Sequence, residues 1–258
     1  MSLDNVVGFE HFVKFFSEFR DHYVVIGGIA TIFSLEAAGA LGRPTKDIDL
    51  VVLANPNKFF ADKLREYITS GGYQIESDAE QGSINYRFRK PLSPEFPFQI
   101  EIFSTTPLNM ELRDDQVIAP FSTSHGLKSL SAILMDTDYF SLIKTCIAQD
   151  GGVPLLTIDA LIPLKARAFI DLSERRGNGE KVDQKDIKKH RNDVLRLSTI
   201  LGDSRRELPA TVAQDLIKFF DHPDIAGLSQ DTFQTIVNDA NRSLISIREQ
   251  VLHYYRLK

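Results

Sequence analysis

The amino-acid sequence predicts an α+β fold in two parts: a mixed β-sheet with flanking helices over residues 1–156, followed by an all-helical domain over residues 157–258. Of the 258 residues, 43% are hydrophobic and 25% are charged, which supplies enough apolar side chains for a sizeable core. Short β-branched or alternating runs are interspersed with helical patterns before residue 157, whereas only helical periodicity follows it. The composition excludes a disordered chain, a collagen and a membrane bundle.

The first part is predicted to contain strands and helices in alternation. The predicted strands cover residues 23–26, 47–53, 84–90 and 97–103. The predicted helices cover residues 9–19 and 29–40, and a further segment that starts at Asn55-Pro56 and ends at Gly71-Gly72. Residues 104–157 give no clear pattern, and residues 116–119 and 139–147 fit either short strands or a helix.

The second part is predicted to contain four helices, over residues 158–173, 184–201, 211–220 and 231–255. The last of these carries a heptad-like apolar stripe formed by Val237, Ala240, Leu244, Ile247, Val251 and Tyr254. Two interpretations are open for this stripe. It packs within its own helical domain, or it forms a helix-mediated dimer or partner contact.

Charge and cysteine content exclude several functional classes. A formal net charge of −5 argues against a chain that coats nucleic acid as a whole, although residues 165–196 hold ten Lys/Arg against six Asp/Glu. Cys146 is the single cysteine, and the six histidines are too far apart for zinc spacing. Residues 23–42 are apolar, but Gly27-Gly28 divides them into strand and helix, so we expect a cytoplasmic protein without a membrane segment. P-loop, GxGxxG and GxSxG motifs are absent from the sequence.

Two aspartates on one predicted strand carry the strongest chemical signal. Asp47 and Asp49 are two residues apart, so their carboxylates point to the same face of the strand. Like charges side by side are costly unless cations neutralise them, and hard oxygen ligands favour Mg²⁺ over zinc. Two divalent ions about 3.5–4 Å apart are the apparatus of phosphoryl and nucleotidyl transfer. The pattern therefore predicts a magnesium site with two ions; the alternative is a solvated acidic strand end.

A glycine pair and a third acid complete the predicted site. Gly27-Gly28 lies between a strand and a helix, where backbone amides can approach a phosphate closely. Glu101 alternates with core-facing isoleucines on a neighbouring strand, so it could join the metal site and accept the proton of an attacking hydroxyl. Each feature alone is common, but in this order they predict a nucleotide site.

Lys165 interrupts an apolar helical stripe that consists of Ile158, Leu161, Ala168 and Leu172. A lysine at this position is costly unless its amine meets an anion or extends to water. A triphosphate held between the two parts would supply the anion, and Lys165→Met is then expected to preserve the fold. Extension to solvent is the other interpretation. His190, on the next predicted helix, is interpreted as a satisfied, partly buried histidine rather than a catalytic base.

The segment 27–52, GGIATIFSLEAAGALGRPTKDIDLVV, resembles the first motif of the DNA polymerase β-type nucleotidyltransferase superfamily, which pairs a Gly-Gly or Gly-Ser turn with a later acid-x-acid. The run Arg43-x-Thr45-x-Asp47-Ile48-Asp49 is more closely similar to the abortive-infection nucleotidyltransferase toxins of the AbiEii type. The resemblance also includes Glu101 and, in outline, residues 161–197. The sequence departs from the pattern in residues 104–157 and in its extended C-terminal helices, which leaves the acceptor substrate open.

The resemblance implies a nucleotidyltransferase-like fold and the Mg²⁺-dependent transfer of a nucleoside monophosphate from a nucleoside triphosphate to a hydroxyl, with release of pyrophosphate. Arg43 and Thr45 would join the glycine pair in binding the nucleotide, and Lys165 would steady the β- and γ-phosphates. The implied acceptor is RNA or protein in a toxin–antitoxin system, with an antitoxin partner; a small-molecule acceptor is the alternative among enzymes. A non-catalytic nucleotide- or partner-binding module on the same fold is the alternative from another class.

Overall fold

One mixed, open β-sheet lies at the centre of the N-terminal part. The computed structural model describes residues 6–53, 58–80, 83–105, 133 and 136–257, and within these ranges the sheet has seven strands in the order β3-β4-β5-β2-β1-β7-β6. The strands are β1 (Tyr23–Ile26), β2 (Asp47–Val52), β3 (Gln74–Glu80), β4 (Ser83–Arg89), β5 (Gln99–Ser104), β6 (Ile147–Asp150) and β7 (Val153–Leu156). The predicted α+β class is confirmed.

Helices flank the sheet, and the regular elements described after residue 157 are all helices. They are α1 (Phe9–Phe15), α2 (Gly27–Ala37), α3 (Lys58–Gly71), α4 (Thr137–Thr145), α5 (Ile158–Gly177), α6 (Gln184–Ser198), α7 (Ala210–Asp221), α8 (Pro223–Ala226), α9 (Gln230–Val237) and α10 (Leu244–Tyr254). None of these helices combines the length and the apolar character that crossing a bilayer requires.

Strand β2 occupies the middle of the sheet and fixes the geometry of the predicted acids. It pairs antiparallel with β1, placing Ile26 opposite Asp49, and parallel with β5, placing Asp49 opposite Glu101. All four residues of β1 are buried, whereas β2 alternates at its start, with its two aspartates partly buried and Ile48 buried between them. This alternation puts both carboxylates on the face that looks towards the helices.

The helical part packs onto the sheet through α2, α5 and α6. Helices α5 and α6 contact each other extensively, and both contact α2, which follows directly from β1. Apolar side chains of the sheet and of the helices belong to one continuous buried core. The end of β1, the start of α2 and the inner faces of α5 and α6 therefore meet around the start of β2.

The structure corrects several element predictions. The long helix predicted over residues 231–255 is wrong, because Asn238 adopts a left-handed backbone (φ 56°) at the end of α9, and Ser243 then starts α10 with a capping box. Strands β3, β6 and β7 and helix α8 were not predicted, while residues 139–147 prove to be mostly helix α4. The segment 116–119 lies outside the described residues.

In α10, Ile247 and Val251 are buried in the core of the same chain, so these stripe residues pack within their own domain.

Candidate active site

A cavity of about 240 Å³ lies between the sheet and the helical part. Its first wall comes from residues of the sheet and the adjoining turn: Ile26, Gly27, Gly28, Thr45, Asp47, Asp49, Arg87, Gln99 and Glu101. Its second wall comes from α5 and α6: Leu161, Leu164, Lys165, Ala168, Asp186, Lys189 and His190. We call these the sheet wall and the helical wall. The structure thus brings together seven of the eight residues predicted for the site.

Strand register places the three predicted acids side by side. In the parallel pairing of β2 with β5, Asp49 lies opposite Glu101, and Asp47 lies opposite Gln99. Residues opposite each other in a parallel pair point to the same face, as do residues two apart on one strand. The carboxylates of Asp47, Asp49 and Glu101 therefore share the face of the sheet that lines the cavity.

Glu101 is held by two side chains that were not predicted from the sequence. Its Oε1 accepts hydrogen bonds from Nε of Arg87 at 2.9 Å and from Nε2 of Gln99 at 2.8 Å, and Nη2 of Arg87 lies 2.8 Å from the same oxygen. Burial and the neighbouring Asp49 carboxylate raise the pKa of Glu101 to about 8, although Arg87 opposes the shift. Oε1 of Glu101 is therefore already engaged within the protein.

Asp49 packs directly over the Gly27-Gly28 turn. Gly27 has a positive φ of 66°, and a Cβ there would collide with the Asp49 carboxylate. The backbone N–H of Gly28 donates a hydrogen bond to that carboxylate. The pKa of Asp49 is nevertheless raised, mainly by burial and also by the charge of Asp47. The charges of Lys189 and Lys165 oppose this rise. Gly27 is thus required here for the approach of a carboxylate, whereas Gly28 leaves room for Thr45; the contact of the two glycines with a phosphate stays a prediction.

Of the two other residues predicted to bind the nucleotide, Thr45 lines the candidate cavity and Arg43 does not. Thr45 lines the cavity beside Gly28, and its Oγ1 would lie 2.8 Å from a Cβ at Gly28. Arg43 lies on the wall of a separate cavity of about 830 Å³ together with Arg196 and Arg242, and its Nη1 donates to the carbonyl of Pro44 at 3.1 Å. Arg43 is the predicted nucleotide-binding residue that does not line the candidate site.

Lys165 meets an anion inside the protein. Its side chain is 6% exposed, and Nζ donates to Oδ2 of Asp193, itself 4% exposed, at 2.7 Å. Burial is the largest single influence and would raise the pKa of Asp193, but the charge and hydrogen bond of Lys165, with smaller contributions from His190 and Arg43, together hold the pKa below its usual value. The interpretation that Lys165 extends to solvent is therefore wrong. The anion that the Lys165 amine contacts in the structure is the carboxylate of Asp193 on α6. Contact with a triphosphate stays a prediction.

Helix α6 contributes Asp186, Lys189 and His190 to the helical wall. Lys189 is the strongest of the charges that favour ionisation of Asp49. His190 is partly buried as expected, but it is not satisfied, because its Nδ1 is enclosed without a hydrogen-bond partner in the described structure. Burial, followed by Lys165 and Lys189, lowers the pKa of His190 to about 3. The helical spacing of Asp186, Lys189, His190 and Asp193, which places them on one face, is the sequence signal that could have revealed this wall.

The donor set on the sheet wall suits a hard cation, although the described residues contain no preformed metal cage. No group of three or more His, Cys, Asp or Glu within the described ranges is arranged to hold a metal ion. Asp47 and Asp49 nevertheless offer carboxylate oxygens on one face, and the pKa of Asp49 is raised partly because Asp47 repels its charge. A divalent cation would relieve this repulsion, so the two aspartates fit Mg²⁺ as ligands, with Glu101 beside them.

Chemistry rather than size distinguishes this cavity from its neighbours. A wider groove of about 590 Å³ lies along α5 and α6, where Arg176, Lys188 and Arg191 line it, and it contains none of the predicted site residues. Of these three cavities, the smaller one brings the partly buried acids of the sheet face to face with basic side chains of α5 and α6. Perturbed carboxyl and imidazole pKa values in one cleft are typical of functional sites.

Comparison with known proteins assigns the chain to no family. No family model matches the sequence, and neither a curated protein nor a solved structure matches it. The function is therefore inferred from the geometry of the site.

Proposed function

We propose that the cavity binds a nucleoside triphosphate and transfers its nucleoside monophosphate to a hydroxyl acceptor, with release of pyrophosphate. In this proposal the sheet is a nucleotidyltransferase-like catalytic sheet, residues 1–156 form the catalytic domain and residues 157–258 the helical domain. The single observation that carries the proposal is the register of β2 with β5, which aligns Asp49 with Glu101 while Asp47 shares their face.

The opposed charges of the two walls support a polyphosphate ligand. Asp47 and Asp49 on the sheet wall repel anions unless a cation lies between them, whereas the helical wall presents the ammonium of Lys189 beside the Lys165–Asp193 ion pair. A triphosphate with its cation suits both walls, because the cation faces the carboxylates and a phosphate oxygen faces the Lys189 ammonium. An uncharged metabolite would leave the repulsion between Asp47 and Asp49 uncompensated.

Each residue has a distinct task in the proposed reaction. Asp47 and Asp49 would hold Mg²⁺, with two ions expected, and when bound these ions would neutralise phosphate charge. Glu101 would accept the proton of the acceptor hydroxyl, whose oxygen forms a bond to the α-phosphorus as the bond to the bridging oxygen of pyrophosphate breaks. Gly27, Gly28 and Thr45 line the same end of the cavity and would position the nucleotide.

The alternative function is a non-catalytic nucleotide- or partner-binding module, and one observation favours it. The acids already have partners within the protein: Glu101 binds Arg87 and Gln99, and Asp49 accepts the Gly28 amide. A binding-only site of this kind would need neither a metal ion nor turnover. Metal dependence and pyrophosphate release therefore distinguish the two functions.

The acceptor and the biological setting follow from the sequence resemblance. An RNA or protein acceptor, an antitoxin partner and action in the cytoplasm belong to the proposal of an AbiEii-like toxin, and a small-molecule acceptor is the alternative. The site itself favours none of these acceptors, since in this proposal its charged walls would contact phosphate and cation rather than select a particular hydroxyl.

Label transfer from nucleoside triphosphates tests the proposed function. The purified protein is incubated with each of the four triphosphates labelled at the α-phosphate, with Mg²⁺, total RNA and a protein extract, and labelled products and pyrophosphate are measured. We expect label in one acceptor class with pyrophosphate release, and a loss of about 100-fold or more in Asp47→Asn. Glu10→Gln, an exposed acid on α1 outside the cavity, is the matched control. Metal-independent binding without pyrophosphate release would support the binding module instead.

A further inference from the structure

His190 faces the cavity with an imidazole ring that has no hydrogen-bond partner within the described structure. Its Nδ1 is enclosed by protein and makes no hydrogen bond, while the ring belongs to the helical wall. Nε2 is not among the enclosed, unpartnered atoms, and no side chain in the described ranges bonds to it. Nε2 is therefore the ring nitrogen that a ligand in the cavity can reach.

The surroundings of the ring determine where its proton lies. An enclosed N–H without an acceptor costs about 1–3 kcal/mol, and native proteins tolerate an enclosed acceptor more readily than an enclosed donor. The unpartnered Nδ1 is therefore the unprotonated nitrogen. A second proton is disfavoured because the ring is buried and lies near the ammonium groups of Lys165 and Lys189. The ring is thus neutral, with its single proton on Nε2, and this N–H is a free donor at the cavity.

The neighbours of His190 define which ligand group would accept this hydrogen bond. Lys189 precedes it on α6 and also lines the cavity, so the two residues present donors on the same wall. Lys165 is committed to Asp193 at 2.7 Å, which leaves it less able to contact a ligand. An acceptor that suits one ammonium and one neutral N–H at the same time is a negatively charged oxygen, as on a phosphate.

We propose that His190 is a phosphate-binding residue of the cavity and donates from Nε2–H to a non-bridging phosphate oxygen that Lys189 also contacts. The inference rests on the proposed nucleotide-binding function and deepens it by assigning the phosphate contact to α6. Lys165 then acts as a positioning residue, because its ion pair with Asp193 fixes α5 against α6 and so holds His190 at the cavity.

A matched pair of substitutions separates the two ring nitrogens. In His190→Gln the amide nitrogen can reach the place of Nε2, whereas in His190→Asn the shorter side chain places it near Nδ1. The probe is inorganic tripolyphosphate with Mg²⁺, measured by titration calorimetry on the full chain. We expect His190→Asn to bind about tenfold more weakly than the natural protein, the scale of one hydrogen bond to a charged group, and His190→Gln to stay within about threefold.

The outcomes distinguish this inference from the proposed function. If the natural protein binds tripolyphosphate and His190→Asn binds it equally well, the role of His190 is overturned and the proposed function survives. If the natural protein binds no tripolyphosphate with Mg²⁺, both are overturned. Should both variants fail to fold, ¹⁵N NMR of the natural protein decides. A proton on Nε2 whose signal shifts with tripolyphosphate supports the inference, and a proton on Nδ1 or an unshifted signal contradicts it.

Discussion

Strand register holds the charged groups on the sheet wall, whereas contacts between helices hold those on the helical wall. Asp49 and Glu101 are adjacent because β2 and β5 pair in parallel, and a shift of one residue in this pairing would place the two acids on opposite faces. Lys165 is held by Asp193, which lies on a different helix and 28 residues later in the chain. The comparison teaches that charges on the helical wall depend on tertiary packing and are therefore more sensitive to substitution.

Breaking the buried ion pair between Lys165 and Asp193 should cause the largest loss of stability. The ion pair changes what we expect of Lys165→Met from a preserved fold to a destabilised one, because the substitution leaves Asp193 buried without its cation. We expect the free energy of unfolding to fall by about 3–5 kcal/mol, measured by urea denaturation. The double variant Lys165→Met, Asp193→Leu should recover most of the loss, while Lys185→Met, an exposed lysine on α6, should change stability by about 0.5 kcal/mol or less. A stable single variant would contradict this assignment.

On the sheet wall, Gly27→Ala should have the next largest effect. The new Cβ would combine a positive φ with a collision against Asp49, and we expect a loss of about 2–4 kcal/mol in the free energy of unfolding. Gly39→Ala is a matched control, since Gly39 also has a positive φ (75°) but nothing lies within 4 Å of the added Cβ. That variant should lose only about 1–2 kcal/mol. Equal losses in the two variants would show that the Asp49 contact does not require glycine.

Because His190 is neutral in the folded protein, it should make the free energy of unfolding depend on pH, by a smaller amount than the two substitutions above change it. The native pKa is lowered to about 3, so the unfolded chain takes up a proton near pH 6.5 that the native chain does not bind. Stability linked to His190 is therefore complete above pH 6.5 and is lost as the pH falls. Between pH 7.5 and 5.5 the free energy of unfolding should drop by about 1.4 kcal/mol more in the natural protein than in His190→Gln. Parallel pH profiles would mean that the ring ionises normally.

Arg43 should have the smallest effect on ligand binding. Its side chain lines another cavity, so Arg43→Met removes a charge without removing a direct contact at the candidate site. We expect tripolyphosphate affinity to change by about threefold or less, the scale of a solvent-screened charge. Lys189→Met, which removes a charge from the helical wall itself, should weaken binding by about tenfold or more. A larger loss in Arg43→Met than in Lys189→Met would place the phosphates in the other cavity.

The same contrast explains how much could be predicted from the sequence. The β2 acids followed from the two-residue period of a strand, and Glu101 from the alternation of β5, because strand geometry fixes side-chain direction locally. The contacts of Arg87 and Gln99 with Glu101 could not be predicted, since they depend on which strands are neighbours in the sheet. Likewise, the stripe around Lys165 predicted an anion, but only the packing of α5 on α6 identifies it as Asp193.

Helix ends and glycine contacts show a further limit of what can be predicted from the sequence. The periodic pattern of residues 231–255 continued through the break at Asn238, because a left-handed residue leaves little trace in apolar spacing. The Gly27-Gly28 turn was recognised, but its contacts within the protein were not. The Asp49 carboxylate occupies the space that a Cβ at Gly27 would fill, and Thr45 occupies the corresponding space at Gly28. The contact of the turn with a phosphate stays a prediction. Sequence patterns thus identified most residues of the candidate site, whereas their partners within the protein could be identified only from the fold.

The Mg²⁺ dependence of nucleotide binding tests most directly whether the sheet wall holds a cation and the helical wall holds phosphate. Titration calorimetry is carried out with each of the four nucleoside triphosphates, with and without Mg²⁺, on the natural protein, Asp47→Asn and the control Glu10→Gln. We expect at least one triphosphate to bind the natural protein and Glu10→Gln only when Mg²⁺ is present, and Asp47→Asn to lose this metal-dependent binding. Equal binding with and without Mg²⁺, or unchanged metal-dependent binding in Asp47→Asn, would contradict the assignment of the two walls.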